Sequence, residues 1–165
     1  MTSPNVASTG MFDTILIPTD GSSDAKKGAG QGIDLAAELG ATVHGLYVIK
    51  DSGNPWVSAS MEEQEERARE YAMTVLDELG QQASEAGVTF EPVVRFGPRI
   101  YAVINEYVDE ADVDLIAMGS GYHGEFGGLF GSTADKVLRT AHVPVMVLRR
   151  ELRETDEPDA EPIAQ

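Results

Sequence analysis

An alternation of two hydrophobic periods constrains this chain more than any other feature. Short apolar runs at Phe12 to Pro18, Thr42 to Ile49, Val88 to Val94, Val113 to Met118 and Val143 to Leu148 lack helical spacing and read as strands. Between them stand segments whose apolar residues recur every three or four positions. The first runs from Ala25 to Leu39, with Ala29, Ile33, Ala36 and Ala37 on one face. The second carries Ala68, Tyr71, Ala72, Val75, Leu76, Leu79 and Ala83, and the third Ile100, Val103, Ile104, Tyr107 and Val108. The fourth covers Ser132 to Ala141. A crossover between parallel strands needs a helix-length connection, so this alternation predicts an α/β fold. We expect a single doubly wound five-stranded parallel sheet of order 3-2-1-4-5, with helices on both faces.

Local signals sharpen the boundaries. Ser22 is placed to cap the first helix and Gly40 to end it. Ser60-Met61-Glu62-Glu63 spells a capping box for the second helix, which Gly87 ends. Pro98 suits the first position of the third helix. Pro92 cannot donate to a strand ladder, which assigns the third strand to a sheet edge. Residues 1–10 are small and polar and are expected to be disordered. Residues 151–165 hold six acids and one arginine among prolines and read as a disordered acidic tail. A single α/β domain over 11–150 is the expected organisation.

The chemistry concentrates between Val113 and Leu138. A buried strand is followed by a loop holding Gly119, Gly121, Gly124, Gly127, Gly128 and Gly131, which closes on Ser132 and Thr133 at a helix start. Glycines let backbone N–H groups approach an anion, and the helix end adds unpaired donors and partial positive charge. In the expected strand order this loop meets Asp20 to Ser23 at the switch point, where open α/β sheets bind ligands.

Competing motifs fit less well. Gly119 to Gly124 spells G-x-G-x-x-G, but a dinucleotide fingerprint belongs to the first strand–helix turn and needs an acid about 20 residues on. No lysine stands directly after Gly131, which excludes a P-loop, and no G-x-S-x-G elbow exists for a serine hydrolase. His44, His123 and His142 show no metal-ligand spacing. His44 and His142 read as structural, while His123 lies in the glycine loop.

Composition narrows the partners. Twenty-eight acidic against 12 basic residues give a net charge of −16, which disfavours nucleic acid and anionic lipid. Only Lys26, Lys27, Lys50 and Lys136 are lysines, and a lysine-poor acidic surface resembles that of proteins from salt-accumulating halophiles. The absence of cysteine rules out disulfides and thiolate metal sites. No apolar run nears the roughly 18 residues of a membrane span, and the first ten residues lack a signal-peptide pattern, so a cytoplasmic location without membrane insertion is expected.

The order of these features resembles the universal stress protein family over Phe12 to Arg149. ILIPTDGS at the first strand, GVTFEPVVRFG at the third, DLIAMGS at the fourth and GSTADKVLRTAHVPVMVL at the end carry the likeness. The resemblance implies bound ATP, with or without Mg2+. Asp20, beside Pro18, and Val48 would contact the nucleoside. Met118 and Gly119 would begin the loop, Gly121 and Gly124 would lie within it, and Gly131, Ser132 and Thr133 would close it over the phosphates. The sequence departs from the pattern in one respect. Gly119 and Gly131 stand twelve positions apart, one short of the family spacing, and Glu125 occupies a region where the family often carries a basic residue.

The leading expectation is an ATP-binding stress-response regulator with no robust catalysis, though slow hydrolysis is compatible with it. The alternatives are a nucleotide-independent interaction module of the same fold and, more remotely, an ATP-using enzyme. Val143 to Leu148 would form an apolar sheet edge, and both that edge and the resemblance imply a homodimer through this strand. A regulatory partner protein, unidentified by sequence, completes the expectation.

Overall fold

Every expected strand and helix forms, in the order β1 (Thr14–Pro18), α1 (Ser23–Leu39), β2 (Thr42–Lys50), α2 (Ala59–Glu85), β3 (Phe90–Gly97), α3 (Ile100–Glu110), β4 (Leu115–Gly119), α4 (Ser132–Thr140) and β5 (Val145–Leu148). The structure is a computed structural model and describes residues 10–51, 59–121 and 130–148. The expected disordered start, the acidic tail, Gly124, Glu125 and His123 lie outside the described residues.

The strands form one parallel sheet of order β3-β2-β1-β4-β5, the order anticipated from sequence. Side chains alternate across a strand, so β1 feeds two cores. Ile15 and Ile17 pack with Ala29, Ile33 and Ala36 of α1 and with Leu79 and Ala83 of α2. Leu16 points the other way, joining Val103, Ile104 and Tyr107 of α3 and Val137 of α4. All three β1 residues are fully buried. At about 1.5–3 kcal/mol per large apolar side chain, this central strand anchors both layers.

The caps form largely as expected. Ser22 Oγ accepts from Ala25 N–H at 3.3 Å, and Gly40, in the left-handed region at φ 65°, ends α1 by donating to the Ala36 carbonyl. Several local expectations are corrected. Ser60 lies within the first turn of α2 rather than before it, because that helix begins at Ala59. Pro98 precedes α3 rather than opening it, because Arg99 is extended at φ −131° and serves as the cap. β3 begins at Phe90, since Val88 N–H turns back to the Ala83 carbonyl and closes the end of α2. β5 begins at Val145. Ala37 is exposed, and Leu35 packs on the core in its place. Tyr71 is also exposed, and Ala68 is half-buried.

Candidate functional site

β1 and β4 are neighbours whose following chains depart in opposite directions, α1 toward β2 and α4 toward β5. The carboxyl ends of the two strands therefore leave a crevice between them. A cavity of about 310 Å³ occupies it.

One wall grows from β1. Thr19 extends the ladder by donating its N–H to the Leu46 carbonyl at 2.9 Å, and it is buried. Its Oγ1 accepts from Gly21 N–H at 3.2 Å, and Asp20 Oδ1 accepts from Ser22 N–H at 2.9 Å. Gly21 takes φ 78°, a left-handed conformation that permits this tight reversal. The turn leaves Asp20 exposed on the cavity wall. A carboxylate has about four acceptor sites, so one bond to Ser22 does not exhaust it.

The opposite wall grows from β4. Ser120 N–H continues the sheet by donating to the Leu148 carbonyl at 3.1 Å, and Gly121 then turns the chain away at φ 61°. The chain returns at Gly131, whose N–H donates to the Ser120 carbonyl at 2.7 Å. Gly131 is the N-cap of α4 and accepts from Asp135 N–H through its carbonyl. The N–H groups of Ser132, Thr133 and Ala134 follow, and helix geometry gives them no intrahelical acceptor. All three residues line the cavity. This end suits an anion, through oriented donors and the positive pole of the helix.

A third, apolar wall is formed by Leu46 and Val48 of β2, Ile100 and Ile104 of α3, and Met118 of β4. The site thus joins an apolar surface, an acceptor and a bank of donors.

Pro18, Asp20, Val48, Met118, Gly119, Gly121, Gly131, Ser132 and Thr133, singled out from sequence, all line this one cavity. Gly124 lies outside the described residues. Sequence reasoning missed Thr19, Ala25, Leu46, Ile100, Ile104 and Ala134 as lining residues. Leu46 shares a strand face with Val48, and Ile100 and Ile104 share a helix face. The periodicity that marked them as core was therefore the available signal. Among the described residues no group of three or more His, Cys, Asp or Glu could hold a metal ion. Among the described helices none is long and apolar enough to cross a membrane.

A model of the universal stress protein family matches residues 11–149. A universal stress protein of Methanocaldococcus jannaschii is 32% identical over 149 residues, which covers 87% of this chain and 86% of that protein. Among solved structures, universal stress protein UspA of Lactobacillus plantarum gives a TM-score of 0.75 at 24% identity, covering 84% of this chain and 98% of its own. A universal stress protein in complex with cAMP gives 0.63 at 19% identity, covering 84% and 97%. One from Archaeoglobus fulgidus in complex with dAMP gives 0.59 at 19% identity, covering 83% and 98%.

Proposed function

The chain belongs to the universal stress protein family, and on that premise we propose that its cavity binds an adenine nucleotide, ATP foremost, and that the protein is a cytoplasmic nucleotide-responsive regulator. One observation carries the reading: the Ser132, Thr133 and Ala134 donors share a single cavity with Asp20 and an apolar wall. A nucleotide needs those three surfaces. The base would lie on Val48, Ile100 and Met118. Ribose hydroxyls would donate to Asp20, and the phosphates would take the α4 donors. Two fold neighbours carrying cAMP and dAMP support the ligand class. Mg2+, where present, would arrive on the phosphates, with the Ser132 and Thr133 hydroxyls and Asp20 as nearby oxygen donors of the kind it accepts.

Turnover of ATP is expected to be slow. Among the described lining residues Asp20 is the sole ionisable side chain, which leaves no separate acid and base for proton transfer. The same composition favours one competing reading, a nucleotide-independent interaction module. No lysine or arginine is among the described lining residues, and the chain carries a net charge of −16.

Denaturing the purified protein and chromatographing the supernatant tests the reading, together with calorimetry against ATP, ADP and AMP. Released adenine nucleotide or a saturable heat is expected. A nucleotide-free protein that gives no heat overturns the proposal. We also propose a homodimer through β5, an edge strand whose residues are all half-buried in the single chain. Sedimentation at micromolar concentration should give twice the chain mass, and a monomer there would remove the dimer.

A further inference from the structure

Asp20 can serve a ligand only if its turn holds still, and the structure places a brace behind that turn, outside the cavity. A Cβ built on Gly21 would lie 2.9 Å from the Tyr71 hydroxyl and 2.8 Å from Val75 Cγ2, so α2 rests directly on the turn. Tyr71 differs from its helical neighbours. Val75 and Leu79, four and eight positions on, are buried, whereas Tyr71 is 54% exposed. Its ring meets that of Tyr47 nearly edge-on, with centroids 6.1 Å apart at 82°, an attractive geometry for aromatic pairs. Tyr47 in turn sits on β2 beside Leu46, whose carbonyl holds Thr19 N–H. The Tyr47 phenol is pushed above its ordinary value by burial, then by Tyr71, then by Asp20, so the Asp20 carboxylate lies within electrostatic reach of Tyr47.

We infer that Tyr71, held by Tyr47, is a positioning residue for Asp20. It keeps the Asp20–Ser22 turn in the conformation that offers the carboxylate to the nucleotide, and so sets affinity from the far side of the turn. The inference rests on the nucleotide reading for its ligand, but the bracing is measurable without one. Replacement by phenylalanine keeps the ring, whose Cζ lies 3.5 Å from the Cβ position built on Gly21, and its contact with Tyr47, whereas alanine removes both.

The test follows amide hydrogen exchange at Gly21 and Ser22 in the full chain, whose N–H groups donate to Thr19 Oγ1 and Asp20 Oδ1. ATP binding is titrated in parallel. Tyr71→Ala should speed exchange at both amides and weaken ATP binding, each by about tenfold, while Tyr71→Phe stays near the parent. Met73→Ala, at a residue 40% exposed on the same helix, should leave both unchanged. Unaltered exchange in Tyr71→Ala overturns the inference, as does faster exchange with undiminished ATP affinity. An equal effect in Met73→Ala also overturns it, by marking a general loosening of α2. A parent protein that takes up no ATP overturns the nucleotide reading instead, and the exchange result then still decides the bracing.

Discussion

Gly131 and Gly121 meet backbone to backbone: a Cβ on Gly131 would stand 2.5 Å from the Gly121 carbonyl oxygen and 3.1 Å from its Cα. The adjoining bond from Gly131 N–H to the Ser120 carbonyl, 2.7 Å long, ties the two ends of the glycine segment together. Gly131 is also the N-cap of α4, so the neck adjoins the N–H groups of Ser132, Thr133 and Ala134 and fixes where they point.

Substituting Gly131 by alanine should therefore act on both. The methyl must displace backbone rather than a side-chain tip, and overpacking of that kind costs about 1–3 kcal/mol. Urea denaturation should show the loss of stability, and calorimetry should show ATP affinity lowered by about tenfold or more as the donors shift. Thr133→Ala, which removes a hydroxyl and adds no bulk, should leave the urea midpoint near the parent value while weakening ATP binding. If both variants bind ATP as the parent does, the α4 donors do not hold the ligand.

Asp20→Asn separates the turn from the ligand. Asparagine keeps an oxygen for Ser22 N–H and so preserves the bond seen at 2.9 Å. It replaces the second carboxylate oxygen with a donor. A hydrogen bond to a charged group contributes about 1.5–3 kcal/mol, so affinity for ATP should drop between tenfold and a hundredfold. Melting temperature should barely move, because the residue is exposed. Undiminished affinity would remove Asp20 from the contact set.

Gly28 tests the packing beneath the site. A Cβ there would lie 2.7 Å from Gly119 N and 2.8 Å from Gly119 Cα, while one on Gly119 would meet the Asp24 carbonyl oxygen at 2.7 Å. α1 thus crosses β4 at backbone contact, right at the cleft. Gly28→Ala should lower the stability measured in urea by about 1–3 kcal/mol. An unchanged midpoint would show that α1 can retreat without cost.

The architecture was legible because one property repeated across the chain. Parallel strands buried on both faces must be apolar throughout, as Ile15-Leu16-Ile17 and Leu115-Ile116-Ala117-Met118 are, and helices between them must show a 3.6-residue period. The cavity was half legible. Glycines and a carboxylate at strand ends announce themselves, but Leu46, Ile100 and Ile104 look like any core residue until the strand order brings them to one crevice. The failures were local contests. Val88 and Thr89 have strand-forming side chains, yet Val88 N–H completes the end of α2, so the strand starts later. Tyr71 has the right spacing for burial, but it sits over the Gly21 turn, outside either core cluster.

Alkaline pH should destabilise the fold through Tyr107. Its phenol is raised above the ordinary 10.0 by burial first, then by Glu91 and Glu110, with Arg95 opposing. The folded state therefore holds this proton more tightly than the unfolded chain does. Its stabilising contribution is complete below about pH 10 and is lost as pH rises through the folded value. Urea midpoints should fall as pH rises above about 10, and less steeply in Tyr107→Phe. That variant also loses the 2.7 Å bond to His44 Nδ1, which lowers its stability at neutral pH. Parallel slopes for the two proteins would mean that Tyr107 ionises alike in both states.

Salt should act in the opposite direction, toward stability. A net charge of −16 on 165 residues makes the compact state self-repulsive, and few cations are available to offset it. Those that are engaged make exposed pairs, such as Lys26 with Glu78 at 3.0 Å and Arg139 with Asp135 at 3.0 Å, whose side chains are about half exposed or more. Pairs of that kind contribute about 0–1 kcal/mol and lose little when screened. Raising KCl from about 10 mM to about 1 M shortens the Debye length from about 30 Å to about 3 Å and screens repulsion over the whole surface. A gain of about 1–2 kcal/mol would lift the melting temperature by roughly 2–8 °C for a chain of this size. If melting is flat across that range, the acidic surface is not adapted to concentrated salt, and its charge serves solubility alone.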